Sequence, residues 1–242
     1  MLTPDQYTHN RQAYDYADPK AAFTIIQTGA LPYSGPVHGI FPSAVPATHP
    51  LGINLRKFEK ICQSVFRDAL EANEANALTP NHLANIKTVA LAIVHWKMAS
   101  QGGRANRNVN NVTAKWQPTT YGQLLLAYQA SSLAGFKIGG VRIPTASTFL
   151  RFLRPDQFGI VDRRVVGNHT QPAGITTMNL RADGYINDVL ENVRKFSDEY
   201  IPWLAAEAAA LNALGATFED VDEHGNPIFS RFCPCDVEMA LF

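Results

Sequence analysis

The chain has 242 residues, 46% of them hydrophobic and 17% charged, and its 21 basic and 21 acidic side chains cancel to zero formal charge. That length and apolar share allow a full core and exclude a disordered chain or a long solvated coiled coil. A zero total argues against a polyanionic partner, which would favour an excess of Lys and Arg. Along the chain, Thr3-Pro4-Asp5 and Thr79-Pro80-Asn81 both read as helix starts, with Thr at the cap and Pro in the first turn. Residues 31–52 hold five prolines and three glycines, which predicts irregular chain, and the whole of 1–54 is read as an irregular N-terminal segment. A helix over 55–72 follows from Phe58, Ile61, Cys62, Val65, Phe66 and Ala69, spaced by three and four. The stretch 80–98 is apolar nearly all round and predicts a central, buried helix.

Residues 100–116, with two glycines and four asparagines, read as a polar loop. Helices are predicted at 121–134 and 144–153 around a glycine-containing turn, then at 183–199, with a break at Pro202 and an Ala-rich helix to 214. A small hairpin within 218–232 and a last helical turn at 236–242 complete the chain. The fold class is therefore all-α: core helices over 55–166, with a hairpin at 135–146, and acidic helices over 167–242. Three cysteines make no disulfide framework, and no apolar run is long enough to span a bilayer, so a cytoplasmic protein without a membrane partner is expected. Cys233-Pro-Cys235 with His224 nearby has irregular spacing for a metal site. Idle thiols are the expectation, and no metal is assigned.

The zero total also hides a pattern. Residues 81–166 carry eleven basic side chains and two acids, Asp156 and Asp162, for +9, while residues 1–80 carry −1 and residues 167–242 carry −8. Such asymmetry fits either a polyanion-binding face on an acidic scaffold or two halves that pair with each other. Within the basic block, Ile138-Gly139-Gly140-Val141-Arg142 forms a turn between two helices, and Pro144 opens the second. Glycines permit close backbone approach, and free amides at a helix N-terminus suit a phosphate.

Ile138-Gly139-Gly140-Val141-Arg142-Ile143-Pro144-Thr145-Ala146, followed 17 positions after Thr145 by the aspartate of Phe158-Gly159-Ile160-Val161-Asp162, resembles the helix-hairpin-helix DNA glycosylase superfamily (HhH-GPD). The likeness covers 30 to 40 residues, and three positions depart from it: Gly139 replaces a proline, Arg142 a glycine, and Pro144 stands where bifunctional members carry a Schiff-base lysine. The resemblance implies a two-lobed helical fold with a cleft between the lobes and a monofunctional, water-using glycosylase, since proline offers no primary amine. It implies Asp162 as the catalytic carboxylate beside the deoxyribose C1′, with double-stranded DNA bound through Gly139, Gly140, Val141, Arg142 and Thr145. No cofactor is implied beyond a monovalent cation at the hairpin carbonyls, and a monomer is expected, nucleoid-associated if the source is bacterial.

The residues alone leave alternatives open. Asp162 could cap a helix starting at Arg163 or pair with Arg163 or Arg164. His95, Trp96, Gln101 and Trp116 could form a pocket for a flipped base, or Trp96 and Trp116 could fill the core. Arg104, Arg107, Lys115 and Arg163 could hold phosphates or be solvated. Lys97 could be an amine nucleophile or a snorkelling lysine. The carboxylates of Asp236 and Glu238 read as an acidic first turn of a terminal helix. The leading expectation is excision of a damaged, mismatched or modified base, in repair or in defence against phage DNA with modified bases. A non-catalytic hairpin module binding DNA or RNA is the alternative, and an enzyme unrelated to nucleic acids the third.

Overall fold

The computed structural model describes residues 2–14, 51–98, 104–117, 119–130, 133, 141–167, 175–222 and 226–241. The side chains of 51–57, 104–106, 127 and 130 lie outside that description, as do the glycines of the hairpin turn, His224 and the proline-rich stretch.

In chain order the elements are α1 (Pro4–Ala13), α2 (Leu51–Glu74), α3 (Pro80–Met98), α4 (Arg104–Ala114), α5 (Thr120–Ala130), α6 (Ile143–Leu153) and the single turn α7 (Arg163–Val166). There follow α8 (Leu190–Lys195), a π-turn (Phe196–Tyr200), α9 (Ile201–Ala213), the strands β1 (Phe218–Val221) and β2 (Pro227–Ser230), and α10 (Pro234–Leu241). The chain is mostly helical, as expected, and the small hairpin is present as an antiparallel pair with Phe218 opposite Ser230 and Val221 opposite Pro227. No helix among the described residues is long and apolar enough to cross a membrane.

Local chemistry explains the helix starts. The Gln6 amide donates to Thr3 Oγ1 (3.3 Å) and the Thr3 amide to Gln6 Oε1 (2.8 Å), a reciprocal cap on α1. Thr79 caps α3 in the same way, with His82 Nδ1 accepting the Thr79 amide at 3.1 Å. The apolar face read at 58–69 is fully buried. From Ile86 to Val94 nearly every side chain of α3 is buried, so this helix is central.

Three expectations fail here. The segment 1–54, read as irregular, carries α1 and the first residues of α2. The stretch read as a loop over 100–116 contains α4, because Val112 is buried and Val109 packs with it against the core while Asn110 and Asn111 are exposed. Tertiary packing outweighs the poor helix propensity of asparagine. The helix read at 183–199 begins only at Leu190, and Pro202 does not break it. In the π-turn before Pro202 the Ile201 amide reaches the Phe196 carbonyl, and this wider turn accommodates the proline's missing donor.

Buried side chains form two apolar clusters. The first joins α2, α3 and α5 with Phe149, Phe152 and Leu153 of α6. The second joins α1, α9, α10 and the hairpin with Ile143, Ala146 and Leu150 of the same helix. Two buried ion pairs lie beside them. Arg151 of α6 pairs with Glu59 of α2, and Arg11 of α1 pairs with Asp236 of α10 at 2.8 Å and Asp220 of β1 at 3.7 Å.

Candidate active-site cleft

Asp162 ends an extended segment, 158–162, that three elements fix in place. The Val161 amide donates to Ser147 Oγ on α6 (3.0 Å), and Ser147 in turn donates to the Pro144 carbonyl (2.9 Å). The Tyr200 hydroxyl, buried beneath the π-turn, donates to the Ile160 carbonyl (2.9 Å). Glu238 of α10 accepts the Ile160 amide. Gly159 makes this possible: a Cβ there would stand 2.7 Å from both Glu238 Cβ and Leu204 Cδ1.

So held, Asp162 faces a cleft of about 570 Å³. Its walls come from the end of α3 (Lys97, Met98), from α4 (Arg107, Asn108), from the start of α6 (Arg142, Pro144, Thr145) and from Arg163 and Arg164. The segment 181–186 closes the remaining side with Arg181, Asp183, Tyr185 and Ile186. Six lining side chains are basic and two are acidic; five of the basic ones come from the +9 block and Arg181 from the acidic section.

Asp162 also caps α7, the role weighed against catalysis: its Oδ1 accepts the Arg164 amide at 3.0 Å and Arg164 Nε at 3.2 Å. Oδ2 lies 3.9 Å from Lys97 Nζ. Burial works against ionisation, but Lys97 and the Arg164 amide and guanidinium outweigh it, and the carboxyl is held below its ordinary value. Lys97 moves the same way for a different reason: burial depresses its ammonium, and Asp162 and Glu238 only partly restore it.

The terminal acids lie on α10, with Asp236 in its first turn as read, and both are buried. Burial pushes the Glu238 carboxyl up to about 7 against the pull of Lys97 and Arg151, and its Oε2 has no hydrogen-bond partner among the described residues. Asp236 is occupied elsewhere. Besides pairing with Arg11, its Oδ2 accepts the Cys233 amide (3.1 Å) and thiol (2.8 Å). Cys233, Cys235 and Asp236 bring their ligand atoms within 4.8 Å of one another. The Cys233 thiol is pushed up by its hydrogen bond to Cys235 and by burial, which favours the protonated thiol over a metal-ligating thiolate.

The sequence-derived site residues divide sharply. Arg107, Arg142, Thr145, Asp162 and Arg163 meet at the cleft. Val141 instead packs against both apolar clusters. Trp96 is a core residue, edge-on to Phe152 at 4.8 Å, and not a pocket wall. Trp116 packs on the first cluster with Lys87 Nζ 5.8 Å above its ring, away from the cleft. His95 and Lys115 do not line the cleft, and His95 Nδ1 is buried with no partner among the described residues. Gly139, Gly140 and Gln101 lie outside the described residues, as does the side chain of Arg104.

The helix N-terminus at α6 also offers fewer amides than expected. Pro144 has none, and those of Thr145 and Ala146 both donate to the Arg142 carbonyl. Sequence reasoning passed over Arg164, Arg181 and Tyr185. The last carries the Arg163 guanidinium 4.9 Å from its ring and is the aromatic face that the cleft presents. The acidic C-terminal section thus supplies one wall of the cleft through residues 181–186. Comparison with protein-family models, with curated protein sequences and with solved structures finds no match to this chain.

Proposed function

We propose that the chain is a DNA N-glycosylase that hydrolyses the N-glycosidic bond of a flipped damaged, mismatched or modified base, in repair or in defence against phage DNA carrying modified bases. The observation that carries this reading is a depressed, rigidly held carboxylate in a cleft where six basic side chains converge. Cleavage develops positive charge at C1′, and an ionised Asp162 stabilises that charge and orients the attacking water. Arg142, Arg163, Arg164 and Arg107 are suited to the phosphates on either side of the flipped nucleotide. Tyr185 offers the base a stacking surface. The two apolar clusters correspond in this reading to the two lobes of a helix-hairpin-helix glycosylase. Pro144 supplies no amine at its position of the hairpin, so in this reading excision itself is hydrolytic and needs no cofactor beyond a monovalent cation at the hairpin carbonyls.

A non-catalytic nucleic-acid-binding module is the second reading, favoured by the engagement of both Asp162 oxygens, one by Arg164 and the other towards Lys97. A panel of modified-base duplexes, incubated with the protein and then treated with alkali to reveal abasic sites, tests the first. Asp162→Asn separates the two: base release falls by at least about 100-fold while duplex binding persists. Abasic-site formation that survives the substitution removes Asp162 from the chemistry.

A further inference from the structure

Lys97 lies in the last turn of α3, beside the core residue Trp96. It is 15% exposed, lines the cleft and stands 3.9 Å from Asp162 Oδ2. Building on the glycosylase reading, we propose that Lys97 is a second reactive group of the cleft, whose amine forms an imine with the C1′ aldehyde of an abasic deoxyribose.

Position is the first argument. A sugar placed for Asp162 to stabilise charge at C1′ has the Lys97 amine on the same wall of the cleft. A snorkelling lysine would extend its ammonium into water, whereas this one is directed at a carboxylate in a concavity that five arginines line. The second argument is chemical state. Burial draws the ammonium below its ordinary value, with the Arg164 guanidinium adding to the effect, and so raises the share of neutral amine. Third, position 144 is a proline and offers no amine to the cleft it lines, and α3 delivers one to that cleft from 47 positions earlier in the chain.

The step needs no oxidant or further reactant. The abasic product interconverts between a closed hemiacetal and an open-chain aldehyde. The neutral nitrogen adds its lone pair to C1′, and the proton it sheds moves to the former carbonyl oxygen. That hydroxyl takes a further proton from solvent and leaves as water while the nitrogen lone pair closes C=N, so that the protonated imine faces the Asp162 carboxylate. Hydrolysis reverses the sequence.

The test uses the full chain and a duplex with a preformed abasic site, so it does not depend on knowing the excised base. Borohydride added to the complex should yield a covalent protein–DNA adduct on a denaturing gel, with mass spectrometry placing the reduced link on Lys97. Lys97→Arg keeps a cation but no primary amine, and should lose the adduct. If that variant fails to fold, the mapped link in the unaltered chain decides. Binding of the abasic duplex without an adduct, or an adduct mapped to any other amine, overturns this proposal alone. A chain that releases no base from the panel yet forms the Lys97 adduct refutes excision and retains the amine chemistry. Failure to bind DNA at all overturns both.

Discussion

Replacing Glu238 by Gln perturbs the cluster behind Asp162 without opening a cavity. A carboxyl that titrates near 7 in the folded chain and at 4.5 when unfolded is held more tightly by the fold in its protonated form. Its penalty is absent below 4.5, develops as the unfolded chain ionises, and is complete once the pH passes 7. At 1.36 kcal/mol per pH unit, the wild-type chain should lose about 3 kcal/mol of stability across that window through this one group. Gln does not titrate, so E238Q should lack this loss. The substitution also places an amide where Oε2 has no partner, but that cost is independent of pH and cancels between two pH values. Urea denaturation followed by tryptophan fluorescence, with Trp96 in the core as a reporter, gives the stability of both chains at about pH 4 and about pH 8. The gap between them should shift by about 3 kcal/mol in favour of E238Q at the higher pH. Parallel stability curves would show that Glu238 titrates normally and that the buried cluster is misconceived.

Three further outcomes can be checked. Glu59→Ala removes the carboxylate paired with the buried Arg151 guanidinium and should cost about 3–5 kcal/mol, read as an earlier denaturation midpoint with an unchanged slope. Gly159→Ala drives a Cβ into Glu238 and Leu204. Overpacking of this kind costs about 1–3 kcal/mol, and because it displaces the segment carrying Asp162, base release should fall more than duplex binding. Arg142→Ala at the cleft rim should lower the slope of log affinity against log salt by about one, with no change in which duplex is preferred. An unaltered slope would exclude Arg142 from phosphate contact.

What the sequence disclosed depended on how locally each feature is determined. The buried face of α2 and the Thr3 and Thr79 caps follow from neighbours within one or two turns, and their residues suffice to read them. Asp162 stood out because acids are scarce among residues 81–166, and charge scarcity survives without coordinates. The pocket was misjudged for a geometric reason. Trp96 and Lys97 are consecutive on α3, and consecutive helical side chains point about 100° apart, so one enters the core and the other the cleft. Periodicity alone does not say which. The burial of Glu238 depends on contact with Gly159, 79 positions away, which its neighbours in sequence do not announce, and α4 reads as a loop because the two valines that outweigh its asparagines do so by packing on α3. Arg181 and Tyr185 reach the cleft through a turn fixed by buried Asn192, whose side chain bonds the backbone of Asn179 and Asn187. No short-range pattern encodes that link.

Helix α6 belongs to both apolar clusters, with Phe149, Phe152 and Leu153 on one side and Ile143, Ala146 and Leu150 on the other. It also carries Ser147, which restrains the Asp162 segment, and Arg151, which reaches Glu59 and, at 3.8 Å, the sulfur of Met239. Neither cluster can come apart without stripping a face of this helix, so unfolding of one half is thermodynamically bound to the other, despite two separate sets of buried side chains. For mutational work this means that a change on α6 has no single address. Its effect on stability, on the tie between the clusters and on the setting of Asp162 will arrive together, and only double-mutant cycles against α2 and α10 can separate them.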